Sequence, residues 1–257
     1  MDPVIATALR FGDNAMVLGQ RLSDWVSRSP TVELDVGFAN QALDLIGQAN
    51  LFYELAGRLE GKGRSADELA FLRDPHKYFN LQLVEQPNGD FAQTVMRQVL
   101  YAVYVEMVFA QMINGQQPDF AAIAAKGQKE MSYHIRHAGE WVVRLGDGSD
   151  ESHERSQKAL DFLWPWTHEL FAYDAVDEEM VRQGVLPDAE NLKQQWSESL
   201  GAIFERAGLS INDTGWQPGC GQHGAMQGGR QGVHSEHLSY VLEEMQVLPR
   251  NHPGAQW

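Results

Sequence analysis

Glu130, His134 and His137 fall within two turns of the stretch "KEMSYHIRHAGEW", Lys129 to Trp141. Carboxylate and imidazole on the inward side of a helix are ligands for iron, so these residues raise the question of an oxygen-activating metal centre. A di-iron centre in a four-helix scaffold takes one glutamate from each of two helices and a Glu-x-x-His pair from each of the other two. No Glu-x-x-His occurs in the chain. Three residues after Glu130 stands Tyr133, and His134 is one step too far. On the second long helix the inner acid is Asp44, and three residues on is Gly47. The single acid-x-x-His, Asp150 to His153, falls in a predicted loop. One inner acid per long helix does remain: Asp13, Asp44, Glu106 and Glu130, with His134 beside the last. Buried acids cost several kcal/mol unless paired or protonated. His134, His137, Asn40, Gln48 and Lys126 are the available partners. The pattern favours a metal-free polar centre, a degenerate form of a di-iron site, over a working one.

A second group is Cys220, His223, His234 and His237, read as Cys-x-x-His and then His-x-x-His after ten intervening residues. Four such side chains in pairs could hold a structural zinc. The competing reading is a Gly-rich loop followed by a His-rich helix start. "GGRQG", Gly228 to Gly232, lacks the Gly-Lys-Ser/Thr element of a phosphate loop. No Gly-x-Ser-x-Gly elbow is present, and Cys220 as a nucleophile would need a histidine positioned beside it. The aromatics of "LWPWTHELF", Leu163 to Phe171, read as core.

The elements that carry these residues are helices, because apolar residues recur at three and four and no alternating strand is found. Ile5, Leu9, Gly12, Met16, Leu22 and Val26 trace a first stripe that runs through "GDN" at Gly12–Asn14. Thr31 or Asp35 can cap a second long helix whose inner face is expected to be Val36, Ala39, Leu43, Ile46, Ala49, Tyr53 and Leu59, stopped at Gly61. Ser65 has capping-box spacing for a short helix ended by Pro75. After a turn at Pro87–Gly89, Asp90 caps the third long helix, which runs to about Asn114 with Val95, Val99, Ala102, Glu106, Phe109 and Ile113 on one side. Pro118 suits the first turn of the fourth, which ends near Gly146. A further helix starts around Ser152 and should kink or break at Pro165. Asp188 caps another, with Leu192, Trp196, Leu200 and Ile203 inside. Residues 208–232 form a Gly-rich irregular loop, and a last helix over about 235–248 buries Leu238, Leu242, Met245 and Leu248. Four long helices with a crossover-sized insert between the second and third describe a ferritin-like bundle with additional helices, one all-α domain over residues 1–257.

Composition narrows the function. Twenty Lys and Arg against 35 Asp and Glu give a formal charge of −15, which argues against nucleic acid or an anionic membrane as partner. No apolar run approaches the roughly 20 residues that span a bilayer. The start of the chain has no basic segment leading into an apolar one, and Cys220 is the only cysteine. These features fit a cytoplasmic protein.

"LGQRLSDW", "LDLIGQA", "NLQLVEQPNGDFA", "KEMSYHIRHAGEWVVRLGDG" and "VHSEHLSYVLEEMQ", in this order and spacing, resemble the PaaC-type subunits of ring 1,2-phenylacetyl-CoA epoxidases. Those are multicomponent bacterial monooxygenases of aerobic phenylacetate breakdown. The resemblance covers nearly the whole chain and implies a ferritin-like fold. It further implies a structural subunit that carries no cofactor and no catalytic residue and binds a related catalytic subunit. That partner would hold the di-iron centre, while a reductase with flavin and iron–sulfur groups draws electrons from NADPH. No catalytic residue of the family carries over, because the positions that would hold the histidines are Gly47 and Tyr133. The alternative is an independent metal-binding ferritin-like oxidase or storage protein.

Overall fold

A computed structural model describes residues 1–212 and 228–255. Among the described residues the architecture is all-α, of the ferritin-like class, with no strand. The chain falls into two compact units, Met1–Pro87 with Gly228–Trp257, and Asn88–Gln227.

The first unit is built on α1 (Pro3–Ser23) and α2 (Val32–Glu60), followed by α3 (Ala66–Phe71), a 3-10 turn (Pro75–Lys77), α4 (Gln82–Glu85) and, from the far end of the chain, α10 (Glu236–Asn251). Gly12 lies against Tyr53 and Gly19 against Ile46, so α1 and α2 run antiparallel. A Cβ at Gly12 would stand 2.8 Å from the Tyr53 ring, which is the close approach that glycine permits here. The helix ends follow local chemistry. Asp2 accepts from Val4 N and Ile5 N, Thr31 from Leu34 N, and Ser65 forms a full capping box with Glu68. Gly61 ends α2 at φ +66°, in the left-handed region.

The second unit is built on α5 (Phe91–Ile113) and α6 (Pro118–Gly146), then α7 (Asp150–Thr167), a 3-10 turn (His168–Phe171), α8 (Ala175–Arg182) and α9 (Ala189–Ala207). Phe91 meets Trp141, and Gly127 lies against Phe109, so α5 and α6 are also antiparallel. Asp90 caps α5, Pro118 opens α6, and Asp188 caps α9, each as its residue type dictates. α5 is buried on every side from Thr94 to Val105.

Several expectations are corrected. The inward face of α2 is Leu34, Phe38, Gln41, Leu45, Gln48, Phe52 and Leu55, with Ala49 and Tyr53 buried as expected, whereas Val36, Leu43 and Leu59 are exposed. Two buried glutamines interrupt the inward stripe, so the outward one looked more regular. Val26 lies beyond α1 and is exposed, as is Leu248 on α10. Phe204, rather than half-buried Ile203, completes the inner face of α9. α7 begins earlier, capped by Ser149, so Asp150 and His153 lie in a helix instead of a loop. Pro165 lies inside α7, which continues two residues past it to Thr167 before passing into the 3-10 turn. Residues 213–227 of the Gly-rich loop lie outside the described residues; its end, Gly229–Gln231, is a 3-10 turn with Arg230 buried.

Candidate functional site

The polar chemistry of the first unit centres on Asp13. Its position in the middle of α1, between Gly12 and Asn14, faces the irregular segment Phe79–Leu81 that joins the 3-10 turn to α4. Buried N–H groups need acceptors. Asp13 Oδ2 accepts from Phe79 N at 2.7 Å, and Asn14 Oδ1 accepts from Leu81 N at 2.8 Å. Asp13 has no exposed surface, and its charge is met by Arg73, which donates to both carboxylate oxygens and is itself 5% exposed. Tyr53 Oη donates to Asp13 Oδ1 at 2.7 Å. The guanidinium also donates to Leu69 O at 2.5 Å and Lys77 O at 2.8 Å, and lies 4.2 Å from the centre of the Tyr78 ring. Burial alone would lower the Arg73 pKa, but the charge and hydrogen bonds of Asp13, together with Tyr53 and Tyr78, outweigh it and raise it. Burial, with Asp13 alongside, raises Tyr53 well above the usual phenol range, and burial pushes Tyr78 up to about 12. Gln246 on α10 closes the network, donating to Tyr78 Oη at 2.8 Å and Arg73 O at 2.9 Å.

Glu85, fully buried at the end of α4, forms a second centre in the same unit. Its Oε1 faces His234 Nδ1 at 2.5 Å and accepts from Asn80 Nδ2 at 2.9 Å. Its Oε2 accepts from Ser235 N at 2.8 Å and Ser235 Oγ at 2.6 Å. Asp44 sits half-buried on α2.

In the second unit, His134 is fully buried and its Nδ1 lies 2.9 Å from Gln98 Nε2 on α5. Glu106 is part-buried and accepts from Gln128 Nε2 at 3.1 Å. The Glu130 side chain is 17% exposed, 3.8 Å from Lys126 Nζ. His137 is half-buried, stacks on Tyr133, and is lowered by burial and then by the neighbouring His134. A Lys–Glu pair one turn apart and this long contributes little. Replacing Glu130 with glutamine should therefore change unfolding stability by less than about 1 kcal/mol in urea titrations, a much smaller effect than at Asp13.

These residues do not fit a di-iron centre. Asp13 has both oxygens engaged by a guanidinium, a phenol and a backbone amide, and a buried cation already stands where a metal would need the acid. His134 Nδ1 is taken by an amide. Among the described residues no three His, Cys, Asp or Glu side chains come together as a metal-binding group. Of the zinc alternative, Cys220 and His223 lie outside the described residues. His234 has both ring nitrogens turned to oxygen acceptors, and His237 lies half-buried in the first turn of α10. Sequence reasoning missed Arg73 and Glu85. Both stand in short segments among polar neighbours, Asp74 to Lys77 and Gln86 to Asp90, and neither lies on a long periodic helix, so no sequence signal set them apart.

Two comparisons bear on the assignment. The family model described as "Phenylacetic acid catabolic protein" matches residues 1–257. The chain is 40% identical to a protein of Escherichia coli (strain K12) named as a subunit of 1,2-phenylacetyl-CoA epoxidase, over 257 residues and all of both chains.

Proposed function

Because this chain belongs to the phenylacetic acid catabolic protein family, we propose that it is the structural subunit of a 1,2-phenylacetyl-CoA epoxidase. It is not catalytic by itself and works in aerobic phenylacetate breakdown. The observation that carries the reading is 40% identity, over the whole length of both chains, with a protein named as a subunit of that epoxidase. The engagement of Asp13 by Arg73 supports the non-catalytic part, since that acid is not available to a metal. In this reading the di-iron centre and the CoA thioester belong to the catalytic partner. NADPH, flavin and iron–sulfur groups belong to the reductase.

A subunit that supplies no ligands acts by binding. Val32, Val36 and Leu43 form an exposed apolar stripe on α2 that would suit a partner helix. With a formal charge of −15, the chain suits a basic or neutral facing surface. Among the described residues no helix is long and apolar enough to cross a membrane.

The test is to titrate this chain into the catalytic subunit with reductase, NADPH and phenylacetyl-CoA, following association and epoxidation together. Activity should rise with the fraction bound and level off at a fixed stoichiometry. Full activity of catalytic subunit and reductase without this chain would remove the proposed role.

A further inference from the structure

The start of α10 is held to the first unit by a clasp. Glu85 takes three side-chain and backbone contacts from His234 and Ser235, the two residues just before the helix. Arg21 on α1 donates to Glu85 O at 2.5 and 3.2 Å and to His237 O at 3.3 Å. Gln82 donates to Val233 O at 2.9 Å, and Arg10 to Arg230 O at 3.4 Å. At Gly232 the backbone has φ +82°, and an added Cβ would stand 2.3 Å from His76 O, so the segment passes this point with no room for a side chain.

His234 is the unusual member. Its Nδ1 faces the Glu85 carboxylate, and its Nε2 lies 2.9 Å from the Tyr78 carbonyl oxygen. Both groups are acceptors, and a neutral imidazole has one N–H for two of them. The doubly protonated ring satisfies both. The side chain is 7% exposed and Glu85 is 0% exposed, so loss of the proton leaves a carboxylate buried beside a neutral ring and turns one ring lone pair towards an oxygen. The contacts from Arg21, Gln82 and Arg10 end on backbone carbonyls, which do not titrate.

We propose that His234 and Glu85 form a proton-dependent latch, closed when His234 is charged, that docks α10 on the first unit and releases it as the solution turns alkaline. The charged and titratable groups around the latch are Glu85 and Tyr78 in the crossover segment, Asp13, Arg10 and Arg21 on α1, Arg230 in the 3-10 turn Gly229–Gln231, and Glu236 and His237 on α10. Burial alone would lower the His234 pKa. The hydrogen bond and charge of Glu85, with the Tyr78 carbonyl and Asp13, outweigh it and raise it above its ordinary value of 6.5. The sign follows from that. A raised folded-state pKa contributes stability in full below the unfolded value and loses it as pH rises through the folded value. Opening the latch frees the end of α10 that carries Leu238, Val241 and Leu242, all buried when it is docked.

The experiment is hydrogen exchange of the intact chain across pH 6 to 9, corrected for the intrinsic exchange rate, with NMR titration of the His234 ring protons in the same samples. The expected result is a His234 titration above 6.5, with amide protection in α10 falling across it by the factor that the ring's own rise sets, tenfold for each pH unit above 6.5, while α2 stays protected. The variant H234Q should show low α10 protection at every pH. A ring that titrates at or below 6.5 overturns the latch, and so does α10 protection that does not change across the titration. Both readings come from the unmodified chain, so they decide the matter even if the variant does not fold.

Discussion

Replacing Arg73 with methionine should remove about 3–5 kcal/mol of unfolding free energy, the range for stranding one member of a buried ion pair. The guanidinium is the counter-charge of an acid with no exposed surface, and its other donors hold Leu69 O and Lys77 O. Methionine keeps much of the aliphatic volume, so the loss reports electrostatics and hydrogen bonding more than a cavity. Pairing the change with Asp13→Asn should recover part of it. The amide keeps a carbonyl oxygen for Phe79 N and turns its NH2 to Tyr53 Oη, which then accepts instead of donating, while the unpaired charge is removed. Urea denaturation of the wild-type chain, both single variants and the double variant closes the cycle. A single-variant loss under about 1 kcal/mol would mean that the pair is not a buried charge couple, and with it would go the argument that Asp13 is unavailable to a metal.

That pair also marks where the sequence stops being legible. Helix ends were readable because capping is local. Thr31, Ser65, Asp90 and Asp188 meet N–H groups three residues on, and Gly61 takes the left-handed position that ends α2. Asp13 was readable as an inward acid because an ionisable residue lay on an apolar stripe. Its partner was not, since Arg73 is 60 residues away in a segment with no period, and the pairing depends on how the crossover folds back over α1. The α2 face failed for a related reason. Apolar residues occur on two sides of that helix, and tertiary packing selects the side that includes buried Gln41 and Gln48. Hydrophobic periodicity cannot rank two stripes when the true one carries polar residues. Glu106, Glu130 and His134 were placed on inward lines of α5 and α6. Their surroundings, an amide for Glu106, an amide for His134 and a lysine for Glu130, are set by antiparallel pairing of the two helices or by local one-turn contacts.

The second unit has its own point of greatest sensitivity. Trp196 on α9 is 2% exposed, packs against Trp164 at 5.4 Å and edge-on to Phe171 at 5.3 Å, and donates from Nε1 to Leu100 O at 3.0 Å. Trp196→Ala should remove about 3–5 kcal/mol, because the indole vacates a space bounded by aromatic rings that cannot collapse into it without leaving their own contacts. Trp196→Phe separates the contributions. It keeps a ring in the space and gives up the indole N–H, while Leu100 O, inside α5, retains its helical partner and is not orphaned. The phenylalanine variant should therefore lose only about 1–2 kcal/mol, from a smaller ring and one hydrogen bond. Urea titrations followed by circular dichroism measure both. Equal losses for alanine and phenylalanine would show that the hydrogen bond to Leu100, rather than the packed ring, holds α9 against α5.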